Sequence, residues 1–441
     1  MDNVSVTRSC NARKKVVVVG AGISGLCSAS NLLAKGFDVV VLEARDRIGG
    51  RILTDHEDAD NIDMGAAWMH GTSYNPLVKL ISKLKIDYYY DDGNPLYFTE
   101  FGPAGPNFKA KNVADEFLDY LHYWIQKNPD GPDYSAEEHI RKFVGQHELI
   151  TDDERIWAPE ALRIGGYDRV VRHVAQPVRH LPGVLKLRHV VQNIEWNRSG
   201  GASPVAVHVY DPNWKPVVFD GDAVVVTVPL GVLHQNKIMF TPSIPKNIAS
   251  GMSRTSYGAL GKVFFEFTDV FWSKQNDSLV YFPTPATLDE DSEKNKYPVL
   301  SYSFMATNLW VMTGAKKLCV LLSPPVVYEI ESMGGNADEL FAYFEPLLEL
   351  FRTEPYKSLP KMVEAKVTSW TKDEFAGNGT YSTANVGDDP RILWDALEAE
   401  KDLRLQFAGE HCSRAGTGCV HGAYETGEVA ADNISRILSR E

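Results

Sequence analysis

The chain has 441 residues, 44% of them hydrophobic and 23% charged, a globular composition that excludes disordered, collagen-like and coiled-coil classes. Fifty-eight acidic against 45 basic residues give a formal net charge of −13. That balance speaks against a nucleic-acid binder, whose phosphate contacts need a basic face, and is compatible with a cationic substrate.

The first fifteen residues are polar and basic, and the apolar run over 16–19 stops at Gly20. This is too short for a signal peptide or a membrane span, and no later window reaches 18 apolar residues. The cysteines, Cys10, Cys27, Cys319, Cys412 and Cys419, are odd in number and thinly spread, which argues against a disulfide framework. A soluble, cytoplasmic protein is expected.

The first element is a buried strand over 16–19 that runs into Gly20-x-Gly22-x-Ser24-Gly25, followed by a helix over 26–35 and a second strand over 38–42 ending at Glu43. Gly20 suits a tight turn, Gly22 lets the backbone approach a pyrophosphate, and Gly25 allows close helix–strand packing. The helix N-terminus presents N–H groups and a partial positive charge to phosphates. Glu43, 18 residues after Gly25, can accept hydrogen bonds from ribose hydroxyls. These features predict a dinucleotide site and leave NAD and FAD open. Directly afterwards, Arg45, Gly49, Gly50 and Arg51 supply a second glycine turn and a guanidinium able to pair with pyrophosphate charge.

Residues 74–165 change character, rich in Tyr, Asp, Lys and Pro, with a helix expected over 113–126. The passage over 157–168 moves from a polar helix-like stretch into a glycine turn without a connecting loop. Short β-branched runs with glycine turns recur over 184–240 and 404–441. Between them, 250–370 mixes strands over 262–267, 299–304 and 317–322 with a helix over 337–351. On its strand Lys262 shares a face with Phe264 and Glu266, which by itself describes a snorkelling surface lysine. His411, Cys412, Cys419 and His421 invite a zinc reading, but their spacing falls outside the usual ligand patterns and no second cluster exists, so no metal is expected.

The Arg-x-Gly-Gly-Arg continuation resembles the two-dinucleotide-binding-domain flavoproteins and favours FAD. Further motifs are similar to those of the flavin-dependent amine oxidases, a family of polyamine oxidases, monoamine oxidases and histone lysine demethylases. Gly65, Ala66, Trp68, His70 and Gly71 resemble a flavin-contacting loop in its polyamine-oxidase form. Val191 matches the valine at the adenine end, and Gly261-Lys262 matches the lysine held near flavin N5 through a water. Trp370 and the run Gly379, Thr380, Tyr381 match the segment beside the isoalloxazine ring. Gly409 and Glu410, with Val420, match the C-terminal flavin motif.

The resemblance implies an α/β chain: a Rossmann-type discontinuous FAD-binding domain (1–84, 166–245 and 371–441) and an α+β substrate domain with a mixed sheet and helices (85–165, helical, and 246–370). It implies non-covalent FAD, because Thr380 stands where thioether-linked members carry cysteine. Lys262, His70, Tyr381 and Cys419 become candidate catalytic residues. Tyr381 supplies one wall of an aromatic cage, whereas Cys419 replaces the other. The implied reaction oxidises an amine to an imine and then an aldehyde, with O2 reduced to H2O2. A polyamine is the expected substrate; the rival is a primary or long-chain amine. Acidic clusters over 87–92 and 151–154 are candidates for binding remote ammonium groups. A demethylase-like protein and a non-enzymatic flavin-fold binding protein are lesser alternatives; an L-amino-acid oxidase would need a substrate-facing arginine, and no motif of this sequence supplies one.

Overall fold

The computed structural model describes residues 13–58, 60–72, 74–90, 94–105, 161–164, 166–199, 203–283 and 298–440, with a few positions between 120 and 139. Most of the helix expected over 113–126, the acidic stretch over 151–154 and part of 87–92 lie outside the described residues. The chain divides into two compact units, each assembled from separate stretches: Met1–Leu53, Tyr167–Ser253 and Pro390–Glu441 in one, Thr54–Gly166 and Arg254–Asp389 in the other.

In the first unit, strand β1 (Lys15–Val19), helix α1 (Ile23–Ala34) and strand β2 (Asp38–Leu42) form a β–α–β unit. The helix begins three residues before the expected position, because the glycine turn itself supplies its first turn, with Gly22 as N-cap. β1 sits in the middle of a five-stranded parallel sheet, between β2 and Ala223–Val226, with Leu185–Lys186 and Leu405–Phe407 at the edges. Val16, Val17, Val18 and Val19 are all buried. Parallel strands covered on both faces read as continuous apolar runs, and β1 does so. The terminal helix Val420–Leu438 packs along α1, and a side chain at Gly427 would stand 2.3 Å from Ser24 O. A second sheet carries Pro216–Gly221, Val205–Tyr210, Val190–Glu195 and Met239–Thr241 in that order.

The second unit is built on a seven-stranded mixed sheet in the order Met362–Val367, Gly261–Phe267, Lys317–Leu322, Phe304–Asn308, Ser278–Tyr281, Pro95–Thr99, Gly102–Pro103. All neighbours are antiparallel except Ser278–Tyr281 with Pro95–Thr99. The alternation along Gly261–Phe267 divides its side chains between two layers. Val263, Phe265 and Phe267 enter a core with Tyr281, Phe304 and the helix Ala337–Leu350, whose Phe344 ring meets Phe265 edge-on at 5.5 Å. Asn336 caps that helix through its side chain, and Asp338 and Glu339 in the first turn favour the same end. Phe264 instead packs with Ile62, Leu309, Ala315 and Cys319.

Two local expectations change. The strand expected over 299–304 is a 3-10 turn, Pro298–Ser301, before a strand that starts at Phe304. Pro298 has no N–H to give a ladder and its fixed φ suits the first position of a helical turn. The passage over 157–168 contains a strand, Ala161–Ile164, paired antiparallel with Trp68–His70 and Tyr88–Tyr90.

Candidate functional site

In the first unit the glycine turn forms a cradle. Gly20 adopts φ +104°, a conformation that L side chains rarely take, and donates its N–H to Leu42 O at 2.8 Å. A Cβ on Gly25 would stand 2.0 Å from Gly20 O, whereas one on Gly22 would meet nothing within 4 Å. Gly25 is therefore demanded by packing, and Gly22 by whatever occupies the open side. The second turn docks onto the first: Gly49 N donates to Ala21 O at 2.9 Å, and Gly22 and Gly49 bridge as parallel partners.

Glu43 is buried at the end of β2, with Oε2 accepting the Ala21 N–H at 2.7 Å and Oε1 the Arg45 N–H at 2.9 Å. Burial pushes its carboxyl above the ordinary carboxylate value, and the two backbone donors oppose that push. Arg188 and His189 extend the pairing onto Arg45 and Glu43 main-chain carbonyls. Val191 lies buried on the strand Val190–Glu195.

Arg51 is reached by an unexpected partner from the same unit: its Nη1 lies 2.8 Å from Glu410 Oε1, and Glu410 Oε2 accepts the Gly418 N–H at 2.9 Å. Gly409 takes φ +140°, and Val420 begins the terminal helix with Cys419 as N-cap. Burial, then the charge of Glu410, push the Cys419 thiol upward, so it stays protonated near neutrality. His411 is buried with neither ring nitrogen hydrogen-bonded among the described residues, and burial lowers it to about 4, leaving it neutral. Among the described residues Cys27, Cys319, Cys412 and Cys419 form no disulfide.

In the second unit Lys262 is 5% exposed, so it is no surface lysine. The sheet face it shares with Phe264 is covered by the segment over 54–65. Its Nζ donates to Asp63 O at 2.7 Å and Gly65 O at 2.5 Å and lies 5.2 Å from the Trp68 ring centroid. Trp370 Nε1 donates to Met64 O at 3.0 Å. Three consecutive carbonyls are thus held by two side chains from elsewhere in the fold, which fixes the loop carrying Gly65, Ala66 and Trp68. His70 ends the next strand with its ring exposed and its carbonyl accepting from Asn75 Nδ2 at 2.8 Å. Tyr381 is half-buried on a short strand paired with Ser256–Gly258, and Thr380 Oγ1 accepts the Leu260 N–H at 2.9 Å.

Two groups were not legible as site residues. Glu331, on the helix Val326–Ser332, is 1% exposed, and Thr368 links it to Lys262. The only sequence signal is a carboxylate on the apolar stripe of Val327 and Ile330. Next to the loop, Asp58, Glu266 and Glu364 bring carboxylates together, and each is paired with Lys317, Lys366 or both.

An open face at Gly22, a buried acid at the strand end and a paired Arg51–Glu410 suit an elongated dinucleotide with anionic phosphates and ribose hydroxyls. Residues 23–148 and 117–435 match the family described as flavin containing amine oxidoreductase. The chain is 30% identical to polyamine oxidase 2 of Arabidopsis thaliana over 96% of its length and 89% of the relative's. It is 29% identical to polyamine oxidase 3 of Oryza sativa subsp. japonica, covering 98% and 92%. With the corticosteroid-binding protein of Candida albicans it shares 28% identity over 97% and 96%.

Proposed function

Because the chain belongs to the flavin-containing amine oxidoreductases, with FAD as a non-covalent cofactor, we propose that it oxidises a polyamine at a carbon–nitrogen bond, with O2 as the electron acceptor and H2O2 as a product. The observation that carries this reading is the buried Lys262 clamped on the 63–65 carbonyls beneath Trp68, in a chain that aligns almost end to end with two polyamine oxidases.

FAD supplies the hydride acceptor when bound. In this proposal Gly22, Ser24, Glu43, Arg45, Gly50, Arg51, Val191, Gly409 and Glu410, with a Rossmann-type sheet behind them, hold it. The N–H groups at the start of α1 receive phosphate oxygens, and Glu43 accepts from ribose hydroxyls. Lys262 keeps a fixed ammonium beside the reacting region, where it can orient a water. Trp68 and Trp370 exclude bulk solvent, Tyr381 flanks the amine, and Val420 packs against the cofactor. The exposed imidazole of His70 exchanges protons with solvent and can take one from an incoming ammonium, since only a neutral amine gives up hydride readily. Water then hydrolyses the imine to an aldehyde. The cytoplasm is the proposed location.

A second reading, oxidation of a primary or long-chain amine, is favoured by the small neutral thiol of Cys419 in place of an aromatic wall. One anaerobic experiment separates the readings: purified protein is mixed with spermidine, a long-chain primary amine or a corticosteroid, and the oxidised-flavin absorbance is followed. Bleaching by spermidine supports the polyamine reading, and bleaching only by the long-chain amine moves the substrate class. A corticosteroid that perturbs the spectrum, with no amine bleaching it, would sink the oxidase reading in favour of a binding protein.

A further inference from the structure

Within the second unit, a buried carboxylate far from any sequence motif organises both Lys262 and Trp370. Glu331 Oε1 accepts from Thr368 Oγ1 at 2.5 Å and from the Trp370 N–H at 3.1 Å. Its Oε2 accepts from the Thr371 N–H at 2.7 Å and from Thr371 Oγ1 at 2.6 Å. Each oxygen therefore receives one backbone N–H, a group that can only donate, and one hydroxyl. No cation pairs with it among the described residues.

The hydroxyl of Thr368 is used twice. It accepts the Lys262 N–H at 3.0 Å while giving its own proton to Glu331, and the Thr368 N–H returns to Lys262 O at 3.0 Å. The main chain of Lys262 is thus tied to the carboxylate through one side chain. The main chain of Trp370 is tied to it directly. The two side chains so anchored then take the three consecutive carbonyls of Asp63, Met64 and Gly65. The space is built for this: a Cβ at Gly261 would come 3.0 Å from Thr368 Oγ1 and 3.2 Å from Glu331 Oε1.

We propose that Glu331 is a positioning residue for the oxidation, fixing Lys262 and Trp370 by gathering the 368–371 backbone onto one carboxylate. The inference rests on the proposed role of Lys262 and Trp370 beside the flavin. Its physical content is that a buried acceptor with four donors defines one backbone geometry. Replacing either oxygen by NH2 sets a donor against an obligate donor, and the segment must move. A displacement near 1 Å at a reacting group costs on the order of 10²-fold in rate.

The test compares wild type with Glu331→Gln and Thr371→Val as FAD-loaded proteins. Thr371→Val removes one donor and leaves the carboxylate, so it serves if Glu331→Gln fails to fold. Expected for Glu331→Gln are an altered visible circular dichroism of the bound flavin, a limiting rate of anaerobic reduction lower by about 10²-fold, and an apparent amine Kd changed by less than about threefold. Thr371→Val gives the same spectral change in smaller measure, with a rate loss of about tenfold. A flavin spectrum and limiting rate equal to wild type in the folded variant would overturn the inference. So would a loss of turnover per total protein accounted for by lost FAD, with the limiting rate per bound flavin unchanged, since that marks a merely structural role. The spectrum needs no substrate. A wild-type flavin that no amine reduces therefore defeats the oxidase reading, while the spectral comparison still decides whether Glu331 sets the site geometry.

Discussion

At the scale of single residues, the same type of residue carries opposite burdens within a few positions. Gly25 lies against Gly20 O and Thr227, so Gly25→Ala forces the turn apart and destabilises the fold by about 1–3 kcal/mol, read as a lower denaturation midpoint. Gly22 faces open space, so Gly22→Val leaves the fold intact and instead occupies ligand volume. A clash of about 2–3 kcal/mol weakens FAD binding roughly 30- to 150-fold, measurable by flavin titration of the apoprotein. Unchanged FAD affinity would remove Gly22 from the cradle. Lys262→Met keeps a side chain of similar reach but loses both donors to Asp63 and Gly65. Its flavin reduction slows on the order of 10²-fold with FAD still bound, and turnover equal to wild type would show that Lys262 has no part in the chemistry.

At the scale of elements, the segment over 54–60 is held to the seven-stranded sheet by charge. Lys317, whose side chain is only 4% exposed, places Nζ 2.7 Å from Asp58 Oδ1 and 2.5 Å from Asp60 Oδ2, and Lys366 reaches Asp55 Oδ2 at 2.9 Å. Burial acts to raise Asp58 and Asp55, but hydrogen bonds from Lys317 and Lys366 outweigh it and hold both below the ordinary carboxylate value. Burial likewise acts to lower both lysines, and the carboxylates outweigh it and raise them. The signs then fix the pH window. The depressed carboxylates contribute stability that is full above about pH 4 and fades as pH falls through their folded values. The raised lysines contribute stability that is full below about pH 10 and fades only at higher pH. Lys317→Met leaves the buried Asp58 with Lys366 alone, at 3.4 Å, and costs stability at the low end of about 3–5 kcal/mol at pH 7. Because the variant's Asp58 gains by protonation, the difference from wild type narrows in acid. A cost independent of pH between about 3 and 7 would show that packing, not charge, holds the segment.

At the scale of the whole molecule, the net charge of −13 attracts a polycation from solution before any contact forms. Raising ionic strength shortens the Debye length from roughly 30 Å at 0.01 M to about 8 Å at 0.15 M. For a polyamine substrate kcat/KM then falls severalfold while the limiting rate of flavin reduction stays constant, since the chemical step involves no diffusion. A salt-independent kcat/KM would argue for a substrate of low charge and favour the primary or long-chain amine. Among the described residues no helix is long and apolar enough to cross a membrane.

The β–α–β start and the acid at Glu43 were legible in the sequence because local patterning dictates them: a buried parallel strand must be continuously apolar, and a glycine turn must fall where the backbone bends sharply. The strand carrying Lys262 was legible too, but its environment was not. Alternation assigns Lys262, Phe264 and Glu266 to one face, and only the tertiary structure decides that residues 54–65 cover that face and turn a surface lysine into a buried one. The Arg51–Glu410 pair joins positions 359 residues apart, and Glu331 meets Thr368 across 37. No periodicity encodes such meetings. A hydrogen bond is specified by distance and direction in space, and those belong to the packing of whole elements, whereas turns and strands are set by neighbours along the chain.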